Sequence, residues 1–326
     1  MLARAVASRR PGVAVFDTVV VRCDELGSNR IPDTFEIPSI DFEWRLVVVV
    51  LLALLSAGFG GSADFAGGYA TRRSPVLVVL AWSQLFGLLL LCLLVLMVGT
   101  SSNGWAFLPW AAAAGLALLG GLAAFYTALS TGKMAVVAPI AAMGVVIPLA
   151  WAIVVGEERP TTQHLAGIVL AVVGIVLGSG PETGHGASLR PLLLAVAAGV
   201  GFGLMMLLLS EGSASDPLMT TLVLRASLIV VLGLLLLVQR KSDLLIAGLA
   251  NWRFLAVIGL LDACAILCAA FAMQTGPVSL AVVLASLYPV ATVLLARVVL
   301  GERMMIIQRF GVMSALSGIV LIGWPL

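Results

Sequence analysis

The stretch SLYPVATVLLARVVLGERMMIIQRFGVMSALSGIVLIG, from Ser286 to Gly323, joins two hydrophobic segments through a short charged turn. An earlier stretch, APIAAMGVVIPLAWAIVVGEERPTTQHLAGIVLAVVGIVLG from Ala138 to Gly178, repeats this order. Both carry Gly-Glu, then Arg, Gln and Gly-Ile-Val-Leu. In a membrane protein such duplication indicates two halves related by pseudo-symmetry, with a substrate path between them.

The composition around these stretches is that of a chain that lies in lipid. Of 326 residues, 61% are hydrophobic and 10% are charged, against roughly 25% charged in a soluble domain. Apolar segments long enough to cross a bilayer recur along the chain. They predict ten spans, at residues 46–69, 76–98, 105–129, 134–155, 164–177, 189–210, 218–238, 254–274, 278–300 and 306–324.

The ten spans divide into five and five, because the duplicated block supplies the fourth and fifth of each half. An odd number of spans per half makes the halves insert with opposite orientation. We therefore predict an all-α integral membrane protein with ten transmembrane helices in two inverted five-helix repeats, residues 46–180 and 188–326. Residues 1–45 hold six of the eighteen basic and seven of the sixteen acidic residues, which predicts a polar, solvated tail.

The duplicated block resembles the EamA-type transporters of the drug/metabolite transporter superfamily. The first copy keeps Gly156, Glu157 and Gln163 of the pattern but has Met143 and Gly144 where the second has Tyr288 and Pro289. The stretch GGSADFAGGYATRR, from Gly60 to Arg73, resembles first helices in a subset of that family. In the second copy the matching residues are Tyr288, Pro289, Gly301, Glu302, Arg303 and Gln308.

The resemblance implies ten helices in two inverted repeats, transport of metabolites, amino acids or drugs, and both termini in the cytoplasm. The distribution of basic residues opposes that orientation, since basic loops favour the cytoplasmic side. With the N-terminus inside, the inner loops carry Arg159 alone, and only the six arginines of the tail support the assignment. The outer side then receives Arg72, Arg73, Lys133, Arg190, Arg240, Lys241, Arg253, Arg303 and Arg309. We follow the resemblance and predict cytoplasmic termini in a bacterial-type cytoplasmic membrane.

Prolines interrupt corresponding spans of the two halves. Pro139 and Pro148 fall in the fourth span and Pro289 in the ninth. A proline within a helix frees a carbonyl that other groups must satisfy, and interrupted helices in both halves of a carrier are typical of its binding site. Kinks that serve packing alone are an equal alternative.

Charged residues inside spans are costly and are therefore functional candidates. Arg225 and Asp262 each lie eight residues into antiparallel spans, so their depths differ by only about 6 Å, and we predict that they form a buried pair. The pair is either a clasp for assembly or a functional group. In the second case Asp262 couples transport to a proton or cation, or Arg225 anchors an anionic substrate. Arg297, near the end of its span, is predicted to be an interfacial anchor.

Asp64 is a further candidate for the substrate or ion path. We favour the alternative that it lies near the far interface of the first span, with its carboxylate reaching water. Tyr126, Gln274 and Tyr288 are the polar or amphipathic side chains predicted to line a central cavity, with Met143 and Phe271 as apolar neighbours. Glycines in the third and sixth spans predict close helix packing. These are Gly115, Gly120, Gly121, Gly199, Gly201 and Gly203.

A secondary carrier accounts best for the spans, the duplication and the interrupted helices. We predict a carrier for a small metabolite, amino acid or drug-like molecule that works by alternating access in the lipid bilayer, as monomer or homodimer, with coupling to protons left open. A membrane-embedded enzyme and a nontransporting scaffold or sensor are the alternatives. We expect no catalytic residue, no metal and no cofactor, since the histidines, His164 and His185, stand apart from any cluster. We also expect no nucleic acid partner, since no cluster of basic residues stands outside the tail.

Overall fold

A computed structural model describes residues 40–99, 104–155, 189–239, 248–301 and 306–323, with seven isolated residues between 162 and 177. The described part is helical, apart from its turns. Its helices are α1 Ile40–Thr71, α2 Val76–Val98, α3 Leu108–Thr131, α4 Met134–Ala142, α5 Val146–Val155, α6 Arg190–Ser213, α7 Pro217–Val238, α8 Trp252–Thr275, α9 Val278–Ala285, α10 Tyr288–Val299 and α11 Ile306–Gly323.

Seven helices in the described residues are long and apolar enough to cross a membrane, with α9 and α10 counted together. The predicted spans agree with these helices except that α1 begins at Ile40, six residues before the predicted start. The fifth predicted span, 164–177, and the tail before residue 40 fall mostly or wholly outside the described residues. The number ten for the whole chain therefore stays a prediction.

The fourth and ninth spans are interrupted at corresponding places. A short 3₁₀ segment, Met143–Val145, separates α4 from α5. Ser286 and Leu287 separate α9 from α10. Pro148 lacks the amide that would bond the carbonyl of Gly144, and Pro289 lacks the one that would bond the carbonyl of Ala285. The interruptions predicted from the prolines are thus confirmed, whereas Pro139 lies inside α4, before the break.

Each interruption packs against the first helix of the opposite half. Gly144 lies so close to α6 that a Cβ on it would come 2.0 Å from the carbonyl oxygen of Gly199. On the other side, a Cβ on Gly61 of α1 would come 2.2 Å from the carbonyl oxygen of Tyr288. The Thr292 hydroxyl fixes this second contact by donating a hydrogen bond to the carbonyl of Gly61 at 3.0 Å.

The buried faces of α3 and α8 repeat at a constant offset. Gly115 corresponds to Gly259 and Leu118 to Asp262, and the other buried positions of α3 have buried counterparts in α8 at the same offset. Gly115 contacts the backbone of α7 and Gly259 contacts the backbone of α2. The duplication seen in sequence therefore extends to the packing of the third and eighth spans.

The glycine predictions hold on the faces turned to other helices. Gly121 and Gly201 bring α3 and α6 together, since a Cβ on Gly201 would lie 2.6 Å from the Cα of Gly121. Gly203 lies against Gly144 in the same way. Gly120 is the exception: it is exposed and a Cβ on it would meet nothing within 4 Å, so the prediction of close packing there is wrong. Gly301, in the duplicated turn, has φ 64° just after α10, the left-handed conformation that glycine adopts at helix ends.

Candidate substrate cavity

A cavity of about 510 Å³, counting the part open to solvent, lies between the two halves. Residues from α1, α3, α6, α8, α9 and α10 line it, so both halves build the walls. They are Ser56, Gly60, Asp64, Leu118, Leu122, Phe202, Met205, Met206, Asp262, Ala265, Ile266, Ala285 and Tyr288.

Asp64 is the acidic residue on the α1 wall of the cavity. Only 9% of its surface is exposed, and its carboxylate has no hydrogen bond or ion pair with another described residue. The hydroxyl of Tyr288, on the neighbouring wall, is also buried without a hydrogen-bond partner among these residues. Polar groups inside a protein normally have partners, so these two groups are exceptions among the residues around the cavity.

Asp64 does not lie where the sequence analysis predicted. Its helix continues to Thr71, which places Asp64 seven residues, or about 10 Å, from the end. Its side chain turns to the cavity between the helices and not to the interface. The interfacial interpretation of Asp64 is therefore wrong.

The predicted pair between Arg225 of α7 and Asp262 of α8 is confirmed. The Nη2 atom of Arg225 lies 2.9 Å from Oδ2 of Asp262, a charge contact whose angle is poor for a hydrogen bond. Gln84 of α2 connects the two: its Nε2 donates to Asp262 Oδ2 at 3.0 Å, and its Oε1 accepts from Nη1 of Arg225. Arg225 is fully buried, whereas Asp262 also reaches the cavity wall.

A glycine makes room for this triad of Gln84, Arg225 and Asp262. A Cβ on Gly87, one turn after Gln84, would come 2.9 Å from the Nη1 atom of Arg225. The buried faces of α2 and α7 match at a constant offset that pairs Gln84 with Arg225. Gln84 and Arg225 therefore occupy equivalent positions in the two halves and contact each other in the triad. The first half supplies an amide there and the second half a guanidinium.

Phe271 and Gln274 are outside this cavity, so the prediction that they line it is wrong for both. Phe271 lies nine residues after Asp262, which is about half a turn around α8 from the face that Asp262 presents. Its side chain is 37% exposed, and Gln274 is exposed near the end of the helix. The prediction rested on how far along the helix these residues lie. They do not line the cavity because their side chains point away from the face that carries Asp262.

Tyr288 lines the cavity as predicted, whereas Tyr126 and Met143 do not belong to the lining. Tyr126 is buried against α1, where a Cβ on Gly67 would come 2.4 Å from its hydroxyl. Met143 is half-buried in the 3₁₀ segment and packs against the core. Pro139, Pro148 and Pro289 are buried in the interrupted helices and off the lining, so their part in a substrate path stays a prediction.

Sequence analysis missed Gln84 and the apolar residues of the α6 wall. An amide in the middle of an apolar span is itself a signal, and the offset that equates Gln84 with Arg225 would have strengthened it. Phe202, Met205 and Met206 carry no comparable signal, because apolar side chains that face a cavity and those that face lipid look alike in sequence. Helix packing alone places them beside Asp64.

Together, the fold and the cavity define a helical membrane protein in which two matching halves enclose a cavity. The chain belongs to the EamA-like transporter family, whose sequence model matches residues 47–180 and again residues 189–324. The two matches correspond to the two halves.

The chain is also similar to two other proteins. An uncharacterized protein of Methanocaldococcus jannaschii is 28% identical over 130 residues, which are 39% of this chain and 93% of that relative. The relative is thus about as long as one half. A solved crystal structure aligns with a TM-score of 0.58 over 84% of this chain and 95% of its own, at 16% identity, which is a likeness of fold alone.

Proposed function

We propose that the chain is a secondary carrier that moves a small metabolite, amino acid or drug-like molecule across the cytoplasmic membrane by alternating access. The ten helices would form two inverted five-helix repeats, and both termini would face the cytoplasm. Membership in the EamA-like transporter family supports carriage in general. The cavity supports a substrate path between the two halves, because such a path is the arrangement expected of carriers built from two repeats.

The observation that carries the proposal is an unpartnered carboxylate on a cavity deep in the helices. The cavity lies in the middle of the bundle, since Asp262, on its wall, is ten residues from the start of α8 and thirteen from its end, or about 15 and 20 Å. The interrupted span α9–α10 supplies Ala285 and Tyr288 to the lining. Proline leaves the carbonyl of Ala285 without its helical partner, so a polar backbone group also becomes free at this wall.

Alternating access needs contacts that are able to change between two arrangements. The interruptions meet the opposite halves through glycine and backbone, at Gly61 and at Gly144. Such contacts involve few interlocked side chains that would oppose a rocking motion of one half against the other. An ion gradient would supply the energy, and Asp64 is the carboxylate open to a proton or a cation, since Asp262 is held by Arg225 and Gln84.

Blocking the cavity should stop transport without unfolding the protein. Gly60 lines the cavity, and a Cβ on it would make only ordinary contacts, at 3.6 Å to Ala265 and 3.7 Å to Tyr288. We expect Gly60→Phe to reduce solute exchange at least about tenfold, because the ring occupies the space of the solute, and Gly60→Ala to keep exchange within about twofold. Exchange is measured as counterflow of labelled solutes in proteoliposomes, with a panel of amino acids, amines, organic acids and nucleosides.

Melting temperature in detergent controls for folding of both variants. Equal exchange in wild type, Gly60→Ala and Gly60→Phe for a solute that the protein does transport would contradict this route. Absence of protein-dependent exchange for every class in the panel would favour the scaffold or sensor alternative, and a chemically altered solute would favour a membrane enzyme.

A further inference from the structure

We infer that the cavity binds amphipathic organic cations, with the Asp64 carboxylate as the counter-charge and the aromatic and thioether side chains as the apolar part of the site. This inference rests on the proposed carrier function and names its substrate class. It follows from the charge, the lining and the asymmetry of the cavity.

The charge of the site comes from Asp64. The other carboxylate at the wall, Asp262, is neutralised by the Arg225 guanidinium at 2.9 Å and accepts a further hydrogen bond from Gln84. Arg225 itself is fully buried and does not line the cavity, so its positive charge is unavailable to a ligand. The described residues that line the cavity include no Lys, Arg or His. Asp64 is therefore the acidic group of the described lining that no positive charge compensates.

A buried carboxylate without a partner is costly as an anion, and it avoids that cost either by taking up a proton or by binding a cation. An anionic ligand would add a second negative charge beside Asp64 and would have to draw Arg225 away from Asp262. A neutral ligand would leave the carboxylate as it is. Of anionic, neutral and cationic ligands, only a ligand with a single positive charge would be neutralised by the described lining.

The apolar part of the lining suits the body of such a cation. Phe202 and Tyr288 meet edge to face, with ring centroids 6.5 Å apart, beside Met205 and Met206. Aromatic faces attract cations, and thioethers adapt to apolar bodies of different shapes.

The repeat also indicates how the ligand would lie. Gly61 of α1 and Gly203 of α6 make corresponding contacts with the interruptions of the opposite halves, and three residues after each come Asp64 and Met206. One wall thus has a carboxylate where the corresponding wall has a thioether, and both residues line the cavity. A molecule with its cationic end toward α1 and its apolar end toward α6 matches this asymmetry.

Three compounds with the same aromatic body and different charge test the inference: 2-phenylethylammonium, 2-phenylethanol and 3-phenylpropanoate. Their affinities are measured by calorimetry on detergent-purified protein at pH 8. We expect the ammonium compound to bind at least about tenfold more tightly than the alcohol, and the carboxylate to bind most weakly. Asp64→Asn should lower the affinity for the ammonium compound at least about tenfold and leave that for the alcohol within about twofold.

Glu211→Gln is the matched control, because it removes one carboxylate from an exposed position of α6. It should leave all three affinities unchanged. The inference is overturned if the ammonium compound has no advantage over the alcohol, if the carboxylate binds best, if none of the three binds at millimolar concentration, or if Asp64→Asn keeps the preference for the cation.

The inference and the carrier proposal fail separately. Exchange of a neutral or anionic solute in proteoliposomes, with no preference for ammonium in the calorimeter, would overturn the cation site and leave the carrier proposal standing. Binding of the ammonium compound at Asp64 without exchange of any solute would do the reverse.

Discussion

Arg225→Leu should lower the free energy of unfolding by about 3 kcal/mol, because it leaves the Asp262 carboxylate without its cation. Arg225 is fully buried, its Nη2 lies 2.9 Å from Asp262, and its Nη1 donates to Gln84. The leucine fills part of the volume but supplies neither charge nor donor. Unfolding in mixed detergent, followed by circular dichroism, measures the loss.

The double variant Arg225→Leu/Asp262→Leu separates the lost pair from the unpaired charge. Removing both partners of a buried pair costs less than removing one, so the double variant should be more stable than Arg225→Leu alone. Exposed Arg253, at the start of α8, gives the matched control: Arg253→Leu should change stability by less than about 0.5 kcal/mol. If Arg225→Leu is as stable as Arg253→Leu, the triad does not hold α2, α7 and α8 together.

Gly259→Ala should destabilise the protein by about 2–3 kcal/mol, because the added methyl group enters the backbone of α2. A Cβ at this position would lie 1.9 Å from the carbonyl oxygen of Ser83, and neither helix is able to give way by rotating a side chain. The two helices would have to separate where the triad lies. The melting temperature in detergent should fall accordingly.

Gly120→Ala is the matched substitution, since a Cβ there meets nothing within 4 Å. Alanine is favoured over glycine inside a helix by up to about 1 kcal/mol, so this variant should be as stable as wild type or more so. Gly115→Ala, at the position equivalent to Gly259, should reproduce the loss, because its Cβ would lie 2.1 Å from the carbonyl oxygen of Leu224. Equal melting temperatures for Gly259→Ala and Gly120→Ala would show that α2 and α8 do not pack through this glycine.

Much of the fold could be predicted from the sequence because spans and repeats are written in it directly. Long apolar runs gave the helices, prolines indicated the two interrupted spans, and the rise of a helix placed Arg225 and Asp262 at similar depth. Each of these depends on position along the chain. Properties that depend on direction around a helix were harder to predict, as Phe271, Gln274 and Gly120 show.

The site was predicted only in part, for a related reason. Asp262 and Tyr288 were identified as polar residues within spans, and Asp64 was noticed but assigned to the interface. The α6 wall was missed because Phe202, Met205 and Met206 resemble lipid-facing residues. A membrane helix is apolar on every face, so the amphipathic pattern that marks the inner face of a soluble helix is absent. Packing decides which apolar side chains meet the carboxylate.

The accessibility of a single cysteine introduced in place of Ser56 tests the central claim, that the cavity opens alternately to the two sides of the membrane. Ser56 lines the cavity, and Ser56→Cys changes little in size. The variant is prepared without Cys23, Cys92, Cys264 and Cys268, in vesicles of both orientations. Ala53→Cys, one turn earlier in α1 and fully buried outside the lining, is the control and should not react.

An impermeant maleimide is added to the outside of each type of vesicle, and labelling of the introduced thiol is followed with time. We expect labelling in both orientations, slowed by a saturating transported solute, because the cavity of a carrier opens to one side and then to the other. Labelling in one orientation alone, at a rate that solute does not change in either, would contradict the account and show a pocket with a single fixed entrance.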